Sequence, residues 1–235
     1  MRKLIIKYAI EFFVIVFGIS VSFFVENYRE SIDKDKKRET TIKSIIDELE
    51  FNDDYYKTRV ETITTNVNFV RLLLEDSLTL EVMKNYPQNL SPANPFWGAI
   101  GFAPNQSIFN SLVNDGSLNL VKSSSLKAEI DNLYTIKYNG VITYIEQEKE
   151  IADQAEKMFM KKYPKLYLRN IWNNFSDLSL LSDYVVAINK DQEFKALMLF
   201  KLSLMQAKLR QLNEYLQSKD SLILELKNSL NSNTN

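Results

Sequence analysis

Apolar residues change their spacing along this chain, and each spacing predicts a different element. Between Leu4 and Val25 they run almost unbroken; residues 7 to 27 read "KYAIEFFVIVFGISVSFFVEN". Lys7 and Glu11 are the only charges from Leu4 to Val25. A helix of that length reaches roughly 30 Å, about one hydrocarbon core, so the pattern predicts a transmembrane helix over 4–25. From Arg29 to Asn85 there is no Gly or Pro, and the apolar positions become periodic. Ile42, Ile46, Leu49, Asp53, Tyr56, Val60, Ile63, Val67, Val70 and Leu74 alternate steps of four and three. This heptad seam, interrupted only by Asp53, predicts a long amphipathic, coiled-coil-like helix over 26–84, with a kink near Phe51-Asn52-Asp53-Asp54. Its partner is either a second copy or later helices of the same chain; the spacing fits both.

The period then breaks. "NYPQNLSPANPFWGAIGFAPN", residues 85 to 105, holds four of the five prolines together with Gly98 and Gly101. It predicts an irregular connection. Its apolar middle, Phe96 to Phe102, predicts docking as a core plug or a subunit contact. Gly98 and Gly101 lack the spacing and the following Lys of a phosphate loop. Helical patterning returns over 106–230. Asn105 is a candidate cap for a short helix, Ser107 to Val113. Asp115-Gly116 predicts a turn, and "SLNLV" an extended piece. A second long helix is expected from Ser124 or Ser125 to about Tyr163, ended by Pro164 and bent at Gly140. Shorter helices are expected around Leu168–Asn174 and Ser182–Asn189. A third long helix, capped by Asp191, is expected from Gln192 to about Leu230, with Phe194, Leu197, Leu199, Leu202, Leu209, Leu212, Leu216, Ile223 and Leu226 as its apolar positions. Residues 231–235 read as a disordered tail. The fold class is therefore all-α: one N-terminal transmembrane helix continuing into a long amphipathic helix, with a soluble bundle of three long helices plus short ones.

Composition narrows the chemistry sharply. The chain of 235 residues has no Cys and no His. That removes disulfides, thiolate chemistry, Ser-His and Cys-His nucleophile activation and His-ligated metals. The reading is of a non-enzyme with no cofactor and no metal. A net charge of −1 offers no global field for nucleic acid or lipid, so any such binding needs a local patch.

The polar residues of the span then need a reason. On a helix Lys7, Glu11, Ile15, Gly18 and Ser22 share one face. Gly18 and Ser22 form a small-xxx-small pair that lets helices approach closely in lipid. A lone helix cannot hide Glu11 from lipid, which favours self-association with the stripe turned inward. The other reading places Glu11 at the headgroup level, paired with Lys7. Arg2, Lys3 and Lys7 resemble a signal-peptide n-region, but bulky Phe23-Phe24-Val25-Glu26 offers no cleavage site, so a retained span is expected. Arg29, Lys34, Lys36, Lys37, Arg38 and Lys43 follow the span, which by the positive-inside rule puts the C-terminal part in the cytoplasm.

Two stretches resemble a bacterial family of single-span membrane proteins of unknown function. "YAIEFFVIVFGISVSFFVENYRES" carries its Glu11, Gly18-Ile19, Asn27-Tyr28 and Glu30 pattern, and "SIFNSLVNDGSLNLVKSSSLKAEIDNLY" is similar to its second signature. Asn114-Asp115 stands there where Ser-Ser is usual before the Gly. The resemblance implies a bacterial, membrane-anchored helical protein and supplies no activity. In architecture alone the chain also resembles channel effectors of antiphage defence, such as the Hailong channel subunit. That likeness implies a homo-oligomer of four or more copies in the inner membrane, controlled by a nucleotide or oligonucleotide signal or the enzyme that makes it.

One window suits an anionic ligand. In "EKMFMKKYPKLYLRNIW", Lys157, Lys161, Lys162, Lys165 and Arg169 interleave with Phe159, Tyr163, Tyr167 and Trp172. Cations paired with stacking rings suit single-stranded oligonucleotides. A cationic helix end with its aromatics in the core fits equally, as does an anionic lipid surface. The acidic group Asp47, Glu48, Glu50, Asp53 and Asp54 reads as a solvated face rather than a Mg²⁺ site. Two functions stay open: a ligand-gated pore lined by Glu11, Ile15, Gly18 and Ser22, or a non-conducting membrane-anchored scaffold or sensor that binds a partner protein.

Overall fold

A computed structural model describes residues 2–87, 94–169 and 177–231, with side chains from Phe12 onward except that of Asn94. Among these residues the chain is helical, with no strand. Its contacts gather into two compact units, one comprising 1–48, 106–127 and 225–235, the other 49–105 and 128–224.

Helix α1 runs from Arg2 to Phe51, 50 residues without interruption, about 75 Å of rod. Every described side chain from Phe12 to Lys34 is exposed. Cover begins further on, where Ile42, Ile45, Ile46 and Leu49 are buried. Asn52 divides α1 from α2 (Asp53–Leu74), within the stretch 51–54 where a kink was expected. The reason is its side chain: the Asn52 amide donates to the Asn105 carbonyl at 2.9 Å and accepts from the Asn105 N–H at 2.8 Å. Such a two-way pair holds the end of the irregular connection as a backbone strand would.

The helix expected to continue to residue 84 stops earlier. Asp76 takes φ 56° after Leu74. The Ser77 N–H reaches the Leu72 carbonyl at 2.8 Å, and the Asp76 N–H the Leu73 carbonyl at 3.3 Å. This is the left-handed C-terminal motif that glycine usually serves; with Asp there, no breaker was visible. Thr79 then caps the short α3 (Leu80–Lys84) by accepting from the Val82 N–H at 3.2 Å.

After α4 (Asn94–Trp97), α5 spans Ser107–Asn114. Asn105, committed to Asn52, does not cap it. The buried carboxylate of Glu48 does, accepting from the N–H groups of Ile108 at 2.5 Å and Phe109 at 3.2 Å. An anion there satisfies orphan donors and suits the helix dipole. "SLNLV" is not extended: Ser117–Leu120 forms a 3₁₀ turn entered through Gly116 at φ 76°. The second long helix consists of α6 (Ser124–Asp131), a π-helical segment (Asn132–Lys137) and α7 (Tyr138–Lys162). Gly140 sits inside α7, where an added Cβ would meet the movable end of Gln211, Oε1 at 2.9 Å, and the helix runs on through it. Pro164 opens α8 (Pro164–Leu168). Helix α9 is Leu178–Lys190, with Asp177 as its cap. Of the helix expected over Leu168–Asn174, residues 170–174 lie outside the described residues, as do 232–235 of the expected tail.

Helix α10 runs from Gln192 to Asn231, capped as expected by Asp191, which accepts from the N–H groups of Glu193 and Phe194 at 3.1 Å. Its buried face differs from the one the aliphatic residues suggest. Phe194, Met198, Lys201, Met205, Lys208, Leu212, Tyr215, Lys219, Leu222 and Leu226 are all buried, in unbroken steps of four and three. Leu199 is 59% exposed. Of the apolar positions read from the sequence, Phe194, Leu202, Leu212 and Leu226 are buried; three lysines also occupy seam positions, which aliphatic residues alone do not reveal.

In the second unit α2 packs against α4 and α9, and α4 against α7. Trp97, Phe159, Tyr184 and Phe194 form one aromatic centre, with Trp97 5.1 Å from Phe159 and 5.2 Å from Phe194 between ring centroids. Phe102 enters a second with Tyr56, Tyr138 and Tyr215. Phe96, Ile100 and Phe102 are buried; the connection is a plug in the core of its own chain.

Candidate functional site

Three places hold the residues that chemistry pointed to, and the structure treats them differently. The first is the apolar length of α1. By length and composition it is the one helix among the described residues able to cross a membrane. Phe12, Phe13, Phe17, Phe23 and Phe24 are each more than 60% exposed. Burying such rings is worth roughly 2 kcal/mol apiece, so this surface requires an apolar medium or other helices. The serines do not oppose that: Ser20 donates to the Val16 carbonyl at 2.8 Å and Ser22 to the Gly18 carbonyl at 2.9 Å. Bonded back to their own helix, they bring no unsatisfied group into lipid. Ile15, Gly18 and Ser22 line one notch with Val14, Ile19, Phe23 and Glu26. A Cβ on Gly18 would meet nothing within 4 Å, so its small size is not required by packing inside one chain. Glu11 lies on α1 one helical turn before Ile15; its side chain, like that of Lys7, lies outside those described.

The second place is the cationic window at the end of α7 and in α8. Lys157, Lys161 and Lys165 are exposed, with no ion pair among the described residues. Lys162 is taken by Asp191 at 3.0 Å and Glu193 at 2.6 Å, and those contacts, that with Glu193 foremost, hold its ammonium above the ordinary value. Burial alone would raise the Asp191 carboxyl, but the Phe194 N–H, Lys162 and Tyr163 together hold it below the usual range. The Tyr163 hydroxyl donates to Asp191 at 3.0 Å and that of Tyr167 to Glu156 at 3.1 Å. Arg169 pairs with Asp177 at 3.0 Å and Asp183 at 3.5 Å. Phe159 is fully buried in the aromatic centre, so it offers no face for a base; this corrects its place in the expected stacking row. Trp172 lies outside the described residues. The window is thus a surface of interleaved charge with three open lysines.

The third place was not foreseen. Glu148 on α7 and Lys201 and Lys208 on α10 are buried together, each side chain at most 1% exposed. Lys208 hydrogen-bonds Glu148 Oε2; Lys201 Nζ stands 3.9 Å from Oε1. Lys201 also donates to the carbonyls of Gly98 at 2.7 Å and Phe96 at 3.1 Å, and Lys208 reaches that of Ile100 at 3.5 Å. The logic lies in the plug: buried irregular backbone has carbonyls with no helix to satisfy them, and two ammonium groups supply the donors. Burial pushes Lys201 down to about 7, against the pull of Glu148 and with the repulsion of Lys208. Burial also lowers Lys208. The spacing of seven between the two lysines, in register with Phe194, Tyr215 and Leu222, was the available signal.

The acidic group on α1 and α2 is dispersed: Glu48 caps α5, Asp53 pairs with Lys219 at 2.5 Å, and no cluster suited to a metal occurs among the described residues. Compared with known families, with curated proteins and with solved structures, the chain matches none.

Proposed function

We propose that this is a homo-oligomeric single-span membrane protein whose N-terminal helices surround a ligand-controlled pore, with the C-terminal helices on the cytoplasmic side. The observation that carries the reading is the uncovered apolar length of α1, with its notch at Ile15, Gly18 and Ser22 on the face that also holds Glu11. Among the described residues no other element lines that notch, and small residues on one helix face suit close packing between copies in lipid. A carboxylate ring at Glu11 would favour cations. The cationic excess after the span supports the cytoplasmic placement in a bacterial inner membrane. The open Lys157, Lys161 and Lys165 are the candidate contacts for an oligonucleotide signal, and the likeness to antiphage channel effectors supports such a signal through architecture only.

Purified full-length protein in planar bilayers tests the pore. Cation-selective currents that fall with Glu11→Gln and vanish with Gly18→Leu are expected; silence under every nucleotide and oligonucleotide tried overturns it. A second reading, the non-conducting anchored scaffold, has its own support: most of the α2 seam and the α10 seam are buried within the chain, so those residues are spent on intrachain packing. Light scattering corrected for detergent separates the two, since the pore requires four or more copies and the anchor is satisfied by one or two.

A further inference from the structure

The basic stretch after the span holds an arginine in an unusual position. Arg38 on α1 is 9% exposed. Its Nε has no hydrogen-bond partner, and no ion pair reaches its guanidinium among the described residues. Its two carboxylate neighbours on the helix are engaged elsewhere: Asp35 by Lys122 at 2.8 Å and Glu39 by Lys43 at 2.6 Å. Lys122 and, more weakly, Arg38 lower the Asp35 carboxyl through space, as Lys43 and, more weakly, Arg38 lower that of Glu39. Arg38 forms an ion pair with neither, and a buried N–H without an acceptor favours one supplied from outside.

The surroundings point to an anion. Arg38 lines a cavity of about 310 Å³ with Ile32, Asp35, Lys36, Glu39, Lys122 and Leu230, all in the first unit. Lys36 is exposed and pairs with no carboxylate among the described residues. Lys122 pairs with Asp35 at 2.8 Å, and no ion pair joins Asp35 to Arg38 among the described residues. A planar fork with flanking ammonium groups matches an oxyanion of more than one charge, which a phosphoryl group supplies and a single carboxylate does not.

We propose that this cavity binds a phosphate-bearing ligand, with Arg38 as its principal contact and Lys36 and Lys122 as supporting charges. The site stands whether or not the spans conduct. Two sources share the chemistry: a phospholipid headgroup and a soluble phosphate compound. With residues 4–25 as the span, Asp35 and Arg38 lie about 15–20 Å beyond Val25 along the helix. The headgroup layer is only about 5–8 Å deep, so the soluble source is favoured.

Calorimetric titration of full-length protein with inorganic pyrophosphate, in nanodiscs of phosphatidylcholine alone, tests the site. Binding is expected, with affinity reduced at least tenfold in Arg38→Met, which keeps the apolar stem. Parallel nanodiscs containing phosphatidylglycerol, read by native mass spectrometry, identify the source. Phosphatidylglycerol retained by the wild type and lost in Arg38→Met assigns the site to a headgroup, and pyrophosphate binding alone assigns it to a soluble ligand. If Arg38→Met fails to fold, Lys122→Gln carries the test: the exposed change frees Asp35 to pair with Arg38 and should weaken binding several-fold. A wild type that takes up neither probe, or variants that bind as well as it does, would overturn the proposal.

Discussion

Between Phe12 and Lys34, α1 leaves every side chain open, phenylalanines and valines included, whereas α10 carries Lys201, Lys208 and Lys219 into the interior. Each reverses the usual placement of apolar and charged groups, and each reversal has its own remedy. In α1 the Ser20 and Ser22 hydroxyls are folded back onto the helix, so that from Phe12 to Val25 the surface presents no unsatisfied polar side chain. In α10 the ammonium groups meet the carboxylate of Glu148 and the carbonyls of a buried loop. The apolar surface of α1 waits for an outside partner, whereas the buried lysines of α10 are answered inside the same fold. The first is therefore a pointer to environment and the second to architecture.

The contrast is broken most severely at Glu148. Replacing it by Gln removes the anion between two buried lysines and should cost about 3–5 kcal/mol, read from urea unfolding of the full chain in detergent. Lys201→Met leaves the Phe96 and Gly98 carbonyls without that donor and should cost less, about 1–3 kcal/mol; no loss would mean that the plug needs no clamp. The same lysine sets a pH dependence. Its folded value, about 7, lies below the ordinary lysine value of 10.5, so between them the unfolded chain holds more protons than the folded one. Stability should then rise from pH 7 towards pH 10, by about 1 kcal/mol per unit at most, and Lys201→Met should flatten the rise. Tyr56 and Tyr86, whose hydroxyls burial raises, retain protons in the fold and oppose the trend above pH 10. The smallest effect is expected in the span. Gly18→Ala should change folding stability by under about 0.5 kcal/mol, because its Cβ meets nothing in one chain. Any loss of oligomer in that variant reports contact between copies.

The helical class and the membrane-length helix were legible from periodicity and apolar length alone, and Asp191 and the Asn52 break from local residue type. What escaped depended on partners remote in sequence. Asn105 looked like a cap, but its backbone is spent on Asn52, and Glu48 reaches α5 from 60 residues away. Asp76 ends α2 in a conformation usually given to glycine, so composition hid the stop. The α10 seam was only partly legible, because apolar residues marked Phe194, Leu212 and Leu226 while lysine occupies three further seam positions. The cationic window read as open because its lysines are adjacent in sequence; the carboxylates that engage Lys162 and Arg169 lie eight or more residues further on.

The clamp on the plug also has a history in time. Lys201 and Lys208 bond carbonyls 103 to 108 residues earlier in the chain. At roughly 5–20 residues per second, a ribosome needs about 5–20 s to travel from the plug to the lysines that close it. Throughout that interval Phe96, Ile100 and Phe102 have no finished core to enter, although the apolar start of α1 has long since emerged. The apolar length of α1 leaves the ribosome well before the clamp can close, and the nascent plug is the segment that most needs shelter.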